Sequence, residues 1–237
     1  METPVSQENL AIRGHELLKR DIIRGVFKPD EKLLMSGLKE RYGLGVGPLR
    51  EALSQLVAER LVVVISQRGY RVAPMSLGEL FDIYDARANL EAMLLGLAIE
   101  RGDDAWEAEI LARAHTLTKV VEVRNAEEQL SLWDARHKAF HTAIVAGCGS
   151  AQLLQVRAYL FDQAERYRHL WLQHTVFSEQ ALEAKRREHA TLVEAILARE
   201  QARACQLMRE HLLGPVPIIT ELMQARGLAR GEAAAGR

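Results

Sequence analysis

The chain has 237 residues, 48% of them hydrophobic and 27% charged, a composition ordinary for globular domains. No apolar run approaches the roughly 20 residues that a membrane helix needs, and residues 1–10 lack the basic end, apolar core and cleavage site of a secretory signal. Cys148 and Cys205 are the two cysteines and neither belongs to a CxxC, so a reducing, cytoplasmic setting is expected. The net charge of −1 gives no hint of nucleic acid by itself, although the first 75 residues carry 12 Lys and Arg against 9 Asp and Glu and the remainder 19 against 23; the sign asymmetry supports a DNA-facing N-terminal part only in company with a motif.

Residues 1–10 are expected to be a flexible start. Residues 11–24 read as a helix with Leu18 and Ile22 on one face, ended by Gly25. After a turn through Lys28-Pro29-Asp30, Ser36 suits the cap of a short second helix through Tyr42, with Leu38 facing inward. The glycine-rich run 43–48 is a tight turn. Pro48 suits the first position of a third helix reaching Ala58, because its missing N–H would have no partner there. Leu49, Leu53 and Leu56 recur at i, i+4 and i+7 and form an apolar stripe, with Arg50 and Ser54 off it. The β-branched run 61–65, a turn at 66–69 and the return Tyr70-Arg71-Val72 make a hairpin. Three helices with a tight second turn, followed by a hairpin, describe a winged helix-turn-helix over 11–75.

At the join Ala73-Pro74-Met75-Ser76, Pro74 discourages helix before it, and Ser76 with Glu79 forms a capping box. Helices follow at 76–101, 104–123, 126–146, 151–174, 178–199 and 200–213, with Asp103, Ser150 and Ser178 as caps. Gly214-Pro215-Val216-Pro217 interrupts the pattern, and a last helix spans 218–226. The expected fold is mainly α: an N-terminal winged helix-turn-helix and, over 76–226, an all-helical bundle that binds an effector and dimerises. Residues 227–237 read as a flexible tail.

A helix fits the major groove of DNA and meets the base edges with its first turn. Arg50 stands in the first turn of the third helix, placed to reach a guanine or a phosphate. Arg68 and Gly69 stand at the hairpin tip, where a wing enters the neighbouring groove. In the helical half, His137 and His141 are four apart and share one helix face. Imidazole suits zinc and nickel, and the intervening Lys-Ala-Phe excludes the HExxH of zinc proteases. Arg87 lies on the inward face traced by Leu80, Tyr84, Leu90, Leu94 and Ala98. A buried arginine needs a partner, either Glu91 one turn on or the carboxylate of a ligand. Arg168, near Tyr167 and Trp171, is a second candidate for binding an anion.

The runs Gly25-Val26-Phe27-Lys28-Pro29-Asp30, LGVGPLREAL at 44–53 and Arg68-Gly69-Tyr70-Arg71-Val72 resemble the GntR family of bacterial regulators. Pro48, Arg50, Glu51, Ala52 and Leu53 match its signature Ser-Arg-Thr-Pro-Val-Arg-Glu-Ala-Leu, while Gly45, Val46 and Gly47 replace the Ser, Arg and Thr that often touch DNA in the family. The resemblance implies DNA contacts from Arg50, Arg68 and Gly69, with Ser36 as an addition. The helical half resembles the ligand domain of the fatty-acid-regulator branch of that family, the FCD type. Its pattern is an Asp, then Phe-His at +3 and +4, and two later histidines about 22 residues apart. Phe140-His141, His189 and His211 match, and His137 stands where the branch has Asp. This implies a divalent metal, zinc or else nickel, on His137, His141, His189 and His211.

The runs GVGPLREALSQLVAER at 45–60, DARANLEA at 85–92 and FHTAIVAGCGS at 140–150 are similar to repressors of this branch that glutarate relieves. The resemblance implies a regulator of glutarate or lysine degradation; a homodimer on two-fold operator DNA is expected, with Arg87 and Arg168, placed by the pattern above, as the candidates for holding a small dicarboxylate. Two other readings stand beside it. One is a metal-dependent hydrolase on the helical half, disfavoured because four histidines leave no placed acid or base. The other is a DNA-binding protein, indifferent to ligands, whose helical half is a scaffold.

Overall fold

A computed structural model describes residues 7–66, 69–120, 126–174 and 179–228. Residues 1–6, Arg68, Ser178 and the tail from 229 onward lie outside the described residues, as do the expectations placed on them. Among the described residues the chain forms ten helices and three strands, and its contacts divide it into two compact units. No described helix is long and apolar enough to cross a membrane.

The first unit comprises residues 1–80, 162–170 and 219–237. It holds α1 (Gln7–Ile23), β1 (Lys32–Leu33), α2 (Met35–Tyr42), α3 (Val46–Ala58), β2 (Val62–Ile65) and β3 (Gly69–Val72). The apolar stripe of α3 works as its spacing predicts: Leu49, Leu53 and Leu56 are fully buried with Leu18 of α1 and Leu61, in one core with Leu38 and Val72. Gly43 ends α2 in the left-handed conformation, φ 64°, which a residue without a Cβ adopts at no steric cost. β2 and β3 form the expected hairpin, pairing Val62 with Val72 and Ile65 with Gly69.

Four local expectations are corrected. α1 begins at Gln7 rather than at residue 11. The cap position of α2 is Leu34, so Ser36 lies inside the helix and caps nothing. α3 starts at Val46 with Gly45 before it, which makes Pro48 the third helical residue; its missing N–H still falls in the first turn, where no intrahelical acceptor exists. The two-residue strand β1 extends the hairpin to a three-stranded sheet of order β1-β3-β2. Two residues are too few for alternation to register.

Residues 162–170 are the middle of α7 (Ala151–His174). They meet the winged domain through polar contacts. Asp162 and Glu59 share Lys19 at 2.6 and 2.9 Å. Gln163 donates to the Glu59 carbonyl at 2.6 Å and Arg166 to the Ala73 carbonyl at 2.5 Å. Tyr167 donates to Glu79.

The second unit comprises residues 81–161 and 171–218. It holds most of α4 (Leu77–Arg101), α5 (Asp104–Thr118), α6 (Ala126–Ala146), the two ends of α7, α8 (Glu179–Leu197), α9 (Gln201–Leu213) and the start of α10 (Val216–Ala225). Ser76 and Asp103 cap as expected, accepting from the backbone N–H of Glu79 and Trp106 at 3.1 and 2.9 Å. Ser150 accepts from Leu153 N at 3.3 Å. α5 stops at Thr118 rather than 123. α10 starts at Val216, with Pro217 in its first turn, where proline is tolerated. The core gathers Leu94, Leu95, Ile110, Phe140, Ile144, Ile196 and Met208, all fully buried. Trp106 closes one end, its indole N–H donating to the Ala143 carbonyl at 3.0 Å. Gly102 lies against that ring so closely that a Cβ there would stand 2.1 Å from it.

Candidate metal centre and DNA-reading helix

α3 buries one face and offers the other. Arg50 is exposed beside buried Leu49, as are Gly45, Val46 and Gly47 ahead of it. Ser36 is exposed on α2. Gly69, at the start of β3, has φ 87°, a left-handed conformation suited to a hairpin tip. One residue of this domain that sequence reasoning missed is Asp21, a buried carboxylate on α1. It accepts from Tyr42 Oη at 2.8 Å and Arg41 Nε at 3.1 Å and so fixes the end of α2 that leads into the turn before α3. Burial pushes its pKa up, but the hydrogen bonds from Tyr42, Arg41 and Arg20 outweigh this and hold it below the ordinary carboxylate value.

In the helical unit the four histidines converge. His137 and His141 come from α6, His189 from α8 and His211 from α9, and one ring nitrogen from each lies within 4.8 Å of all the others. His141 Nε2 is 3.1 Å from His137 Nε2 and 3.1 Å from His211 Nε2. Burial first, and mutual repulsion among the rings second, press His137 and His141 well below the usual histidine pKa, as burial with the His211 and Lys185 charges does for His189. His211 is lowered too, by burial, against the opposing pull of Glu188. The cluster is therefore neutral near pH 7, the form that binds metals.

The proton count tests whether these residues fit a metal. His211 Nδ1 lies 3.0 Å from Glu188 Oε2 and donates to it, which leaves the lone pair of the neutral ring on Nε2. That lone pair faces His141 Nε2, which also faces His137 Nε2. A neutral imidazole carries one N–H, so His141 serves one of these neighbours at most. A shared cation satisfies every inward lone pair together, and ligands about 2.0–2.1 Å from one ion stand about 3–3.5 Å apart. His189 Nε2 is buried with no hydrogen-bond partner among the described residues. The nitrogen set fits zinc or nickel. Glu188 is a second residue that sequence reasoning missed, although its place beside His189 was a signal. Its pKa is lowered to about 2, burial being outweighed by hydrogen bonds from His211 and Lys185.

Arg87 is buried at 3% exposure, and its charge is among those that depress His137, His141 and His211. Its Nε stands 3.6 Å from Glu91 Oε1, the i+4 partner that spacing suggested. Arg157 of α7, which the sequence did not bring to notice, donates to the other oxygen of Glu91 at 2.9 Å. Arg168 belongs to the first unit. It donates to both oxygens of Glu165, at 2.5 and 2.8 Å.

Residues 15–72 match the family model of bacterial regulatory proteins, gntR family, and residues 82–214 match that of the FCD domain. The HTH-type transcriptional repressor GlaR of Escherichia coli K12 is 62% identical over 213 residues, covering 90% of this chain and 97% of its own. The HTH-type transcriptional regulator BphR of Paraburkholderia xenovorans LB400 is 33% identical over 206 residues, 86% of this chain and 82% of its own. The solved structure of E. coli McbR/YncC superposes with a TM-score of 0.73 at 21% identity, over 90% of this chain and 97% of that one. A GntR regulator from Rhodococcus sp. RHA1 gives 0.66 at 21% identity, over 89% and 97%. At these identities the two structures bear on the fold alone. The relatives are transcription regulators rather than enzymes, which sets aside the hydrolase reading.

Proposed function

Since this chain belongs to the gntR family of bacterial regulatory proteins and carries an FCD domain, we propose that it is a repressor that releases its operator when a small dicarboxylate binds the helical unit. The repressor sense follows the name of its 62% identical relative. The effector is glutarate, on the strength of the runs at 45–60, 85–92 and 140–150, which resemble the carbon-starvation-induced regulator CsiR; the controlled genes are then those of glutarate or lysine degradation. Arg50, Arg68 and Gly69 meet operator DNA, with Ser36 as an addition to that set, and two copies of the chain match a two-fold operator.

The observation that carries this reading is the convergence of four neutral imidazoles with the Arg87 charge felt among them. His137, His141, His189 and His211 would hold a divalent metal, zinc or nickel, which when bound supplies a Lewis-acidic positive charge for one carboxylate. Arg87 receives negative charge from the same ligand. Arg168, paired with Glu165 in the other unit, has the weaker claim. The effector acts by favouring the conformation in which the two reading heads are wrongly spaced, and its leverage equals its difference in affinity for the two conformations.

The test is a gel mobility shift on DNA from the protein's own promoter region, at stated salt, with and without millimolar glutarate. A discrete complex dissolved by glutarate supports the whole reading. A complex indifferent to glutarate and to neighbouring dicarboxylates sinks the effector and favours the scaffold alternative.

A further inference from the structure

Glu91, on α4, has no exposed surface, and two guanidinium groups face it. Arg157 makes the hydrogen bond, Nε to Oε2 at 2.9 Å. Arg87 stands at 3.6 Å from Oε1, an ion pair beyond hydrogen-bonding distance. One buried carboxylate thus faces two buried cations, since arginine does not give up its proton in proteins. The surplus shows atom by atom. Among the described residues, Arg157 Nη2 is buried with no hydrogen-bond acceptor, on a side chain only 7% exposed, while Arg87 Nε and Glu91 Oε1, 3.6 Å apart, are both left without a hydrogen bond. Buried N–H groups are satisfied in nearly all native structures, and an orphaned charged one is costly.

What surrounds these atoms does not fill the need. The Phe161 ring lies 4.7 Å from Arg87 Cζ, 5.7 Å from Arg157 Cζ and 4.7 Å from Lys138 Nζ. An aromatic face attracts cations but accepts no strong hydrogen bond. Three cations therefore surround one ring, with one carboxylate among them. Arg157 Nη1 also reaches Thr142 Oγ1 at 3.5 Å, and Thr142 and Lys138 are exposed, so this edge of α6 joins the cluster to solvent. His137 and His141 stand on the same helix, adjacent in sequence to Lys138 and Thr142.

We infer that Arg87 and Arg157 together receive one carboxylate of a dianionic ligand, and that Glu91 sets the balance at one surplus positive charge. This rests on the effector reading above and adds the residue that reads the ligand's second charge. Arg157 Nη2 is the unmatched donor, and the Arg87 guanidinium, ion-paired but not hydrogen-bonded to Glu91, supplies the second positive group for a carboxylate. A ligand with one carboxylate engages the histidine end or the arginine end. A ligand with two engages both, so the pair selects α,ω-dicarboxylates over monocarboxylates of equal length.

Isothermal titration of the zinc-loaded full-length protein tests this, with succinate, glutarate and adipate each paired with butyrate, valerate or hexanoate. The best diacid is expected to bind at least about 30-fold tighter than its monoacid, in keeping with the strength of charge-assisted hydrogen bonds. In Arg157→Gln, Arg87 closes onto Glu91 and the surplus charge disappears. The diacid-to-monoacid ratio is then expected to fall at least about tenfold, while zinc content stays as in the unaltered protein. Arg157→Lys keeps the charge without the fork, and an intermediate ratio is expected; this variant decides the matter if Arg157→Gln does not fold. A ratio unchanged in the folded variant overturns the role of Arg157 and leaves the effector reading standing. An unaltered protein that binds none of the six acids overturns both.

Discussion

The Nε2 atoms of His141 and His211 lie 3.1 Å apart, in rings stacked within 18° of parallel, although 70 residues separate them in the chain. His141 is the nitrogen shared by both close contacts of the cluster, so its loss is expected to disable the centre. In His141→Ala, metal per chain measured by inductively coupled plasma mass spectrometry should fall from about one to below about one-tenth. The drop in melting temperature that a chelator causes in the unaltered protein, which follows from linkage between binding and folding, should vanish with it. Full metal content in the variant would refute the assignment.

Glu188 orients His211 by accepting from Nδ1. Removing such a partner commonly weakens metal binding by roughly 10- to 100-fold. Glu188→Gln should show that loss in competition titrations against a chromogenic chelator, with helical content unchanged because the side chain is 43% exposed.

Arg50 is exposed on α3. Arg50→Ala should leave stability within about 0.5 kcal/mol and weaken operator binding by roughly 10- to 100-fold, as loss of a base or phosphate contact does. Fluorescence anisotropy across a salt series separates the two: a flatter salt dependence marks a phosphate contact, and relaxed sequence preference marks a base contact. An unchanged affinity would remove Arg50 from the interface.

Asp21 makes the reading domain sensitive to acid. Its pKa in the folded protein lies below the ordinary aspartate value of 3.8. The stability it contributes is therefore fully present above that value and is lost as pH falls through the lower folded value. Asp21→Asn should cost about 1.5–3 kcal/mol at pH 7, the range for hydrogen bonds to charged groups. In urea titrations the gap between variant and unaltered protein should hold down to about pH 4 and close at lower pH. A gap that widens on acidification would contradict the assignment.

Gly102 is expected to tolerate no side chain. A Cβ there would stand 2.1 Å from the Trp106 ring, and that ring is held by its bond to the Ala143 carbonyl. Gly102→Ala should lower stability by about 1–3 kcal/mol, the usual cost of overpacking, as measured by thermal unfolding. A melting temperature at or above that of the unaltered protein would show that the ring yields.

Much of this protein is local in origin and was legible without coordinates. The Leu49, Leu53 and Leu56 stripe, the caps at Ser76 and Asp103, and the hairpin at 61–72 depend on neighbours within a few residues, so periodicity and turn chemistry reveal them. The His137–His141 pair is legible for the same reason, since helix pitch alone brings the two rings to one face. Where local signals ran short, errors followed. Ser36 has the chemistry of a cap, yet α2 starts one residue earlier, and β1 is too short to announce itself.

By itself, the sequence determined the order of the helices and the hairpin, the third helix with Arg50 exposed on it, and the His137–His141 pair on one face of α6. Tertiary structure alone decided which distant side chains share a space. It set Arg157 against Glu91 across 66 residues of chain, placed Glu188 behind His211, and put the middle of α7 into the unit of the winged domain. The division has a physical cause. Helices and turns are selected by energies acting over three or four residues, whereas the pairing of buried charges follows from how whole helices pack, and packing is set by the shape and volume of the entire core.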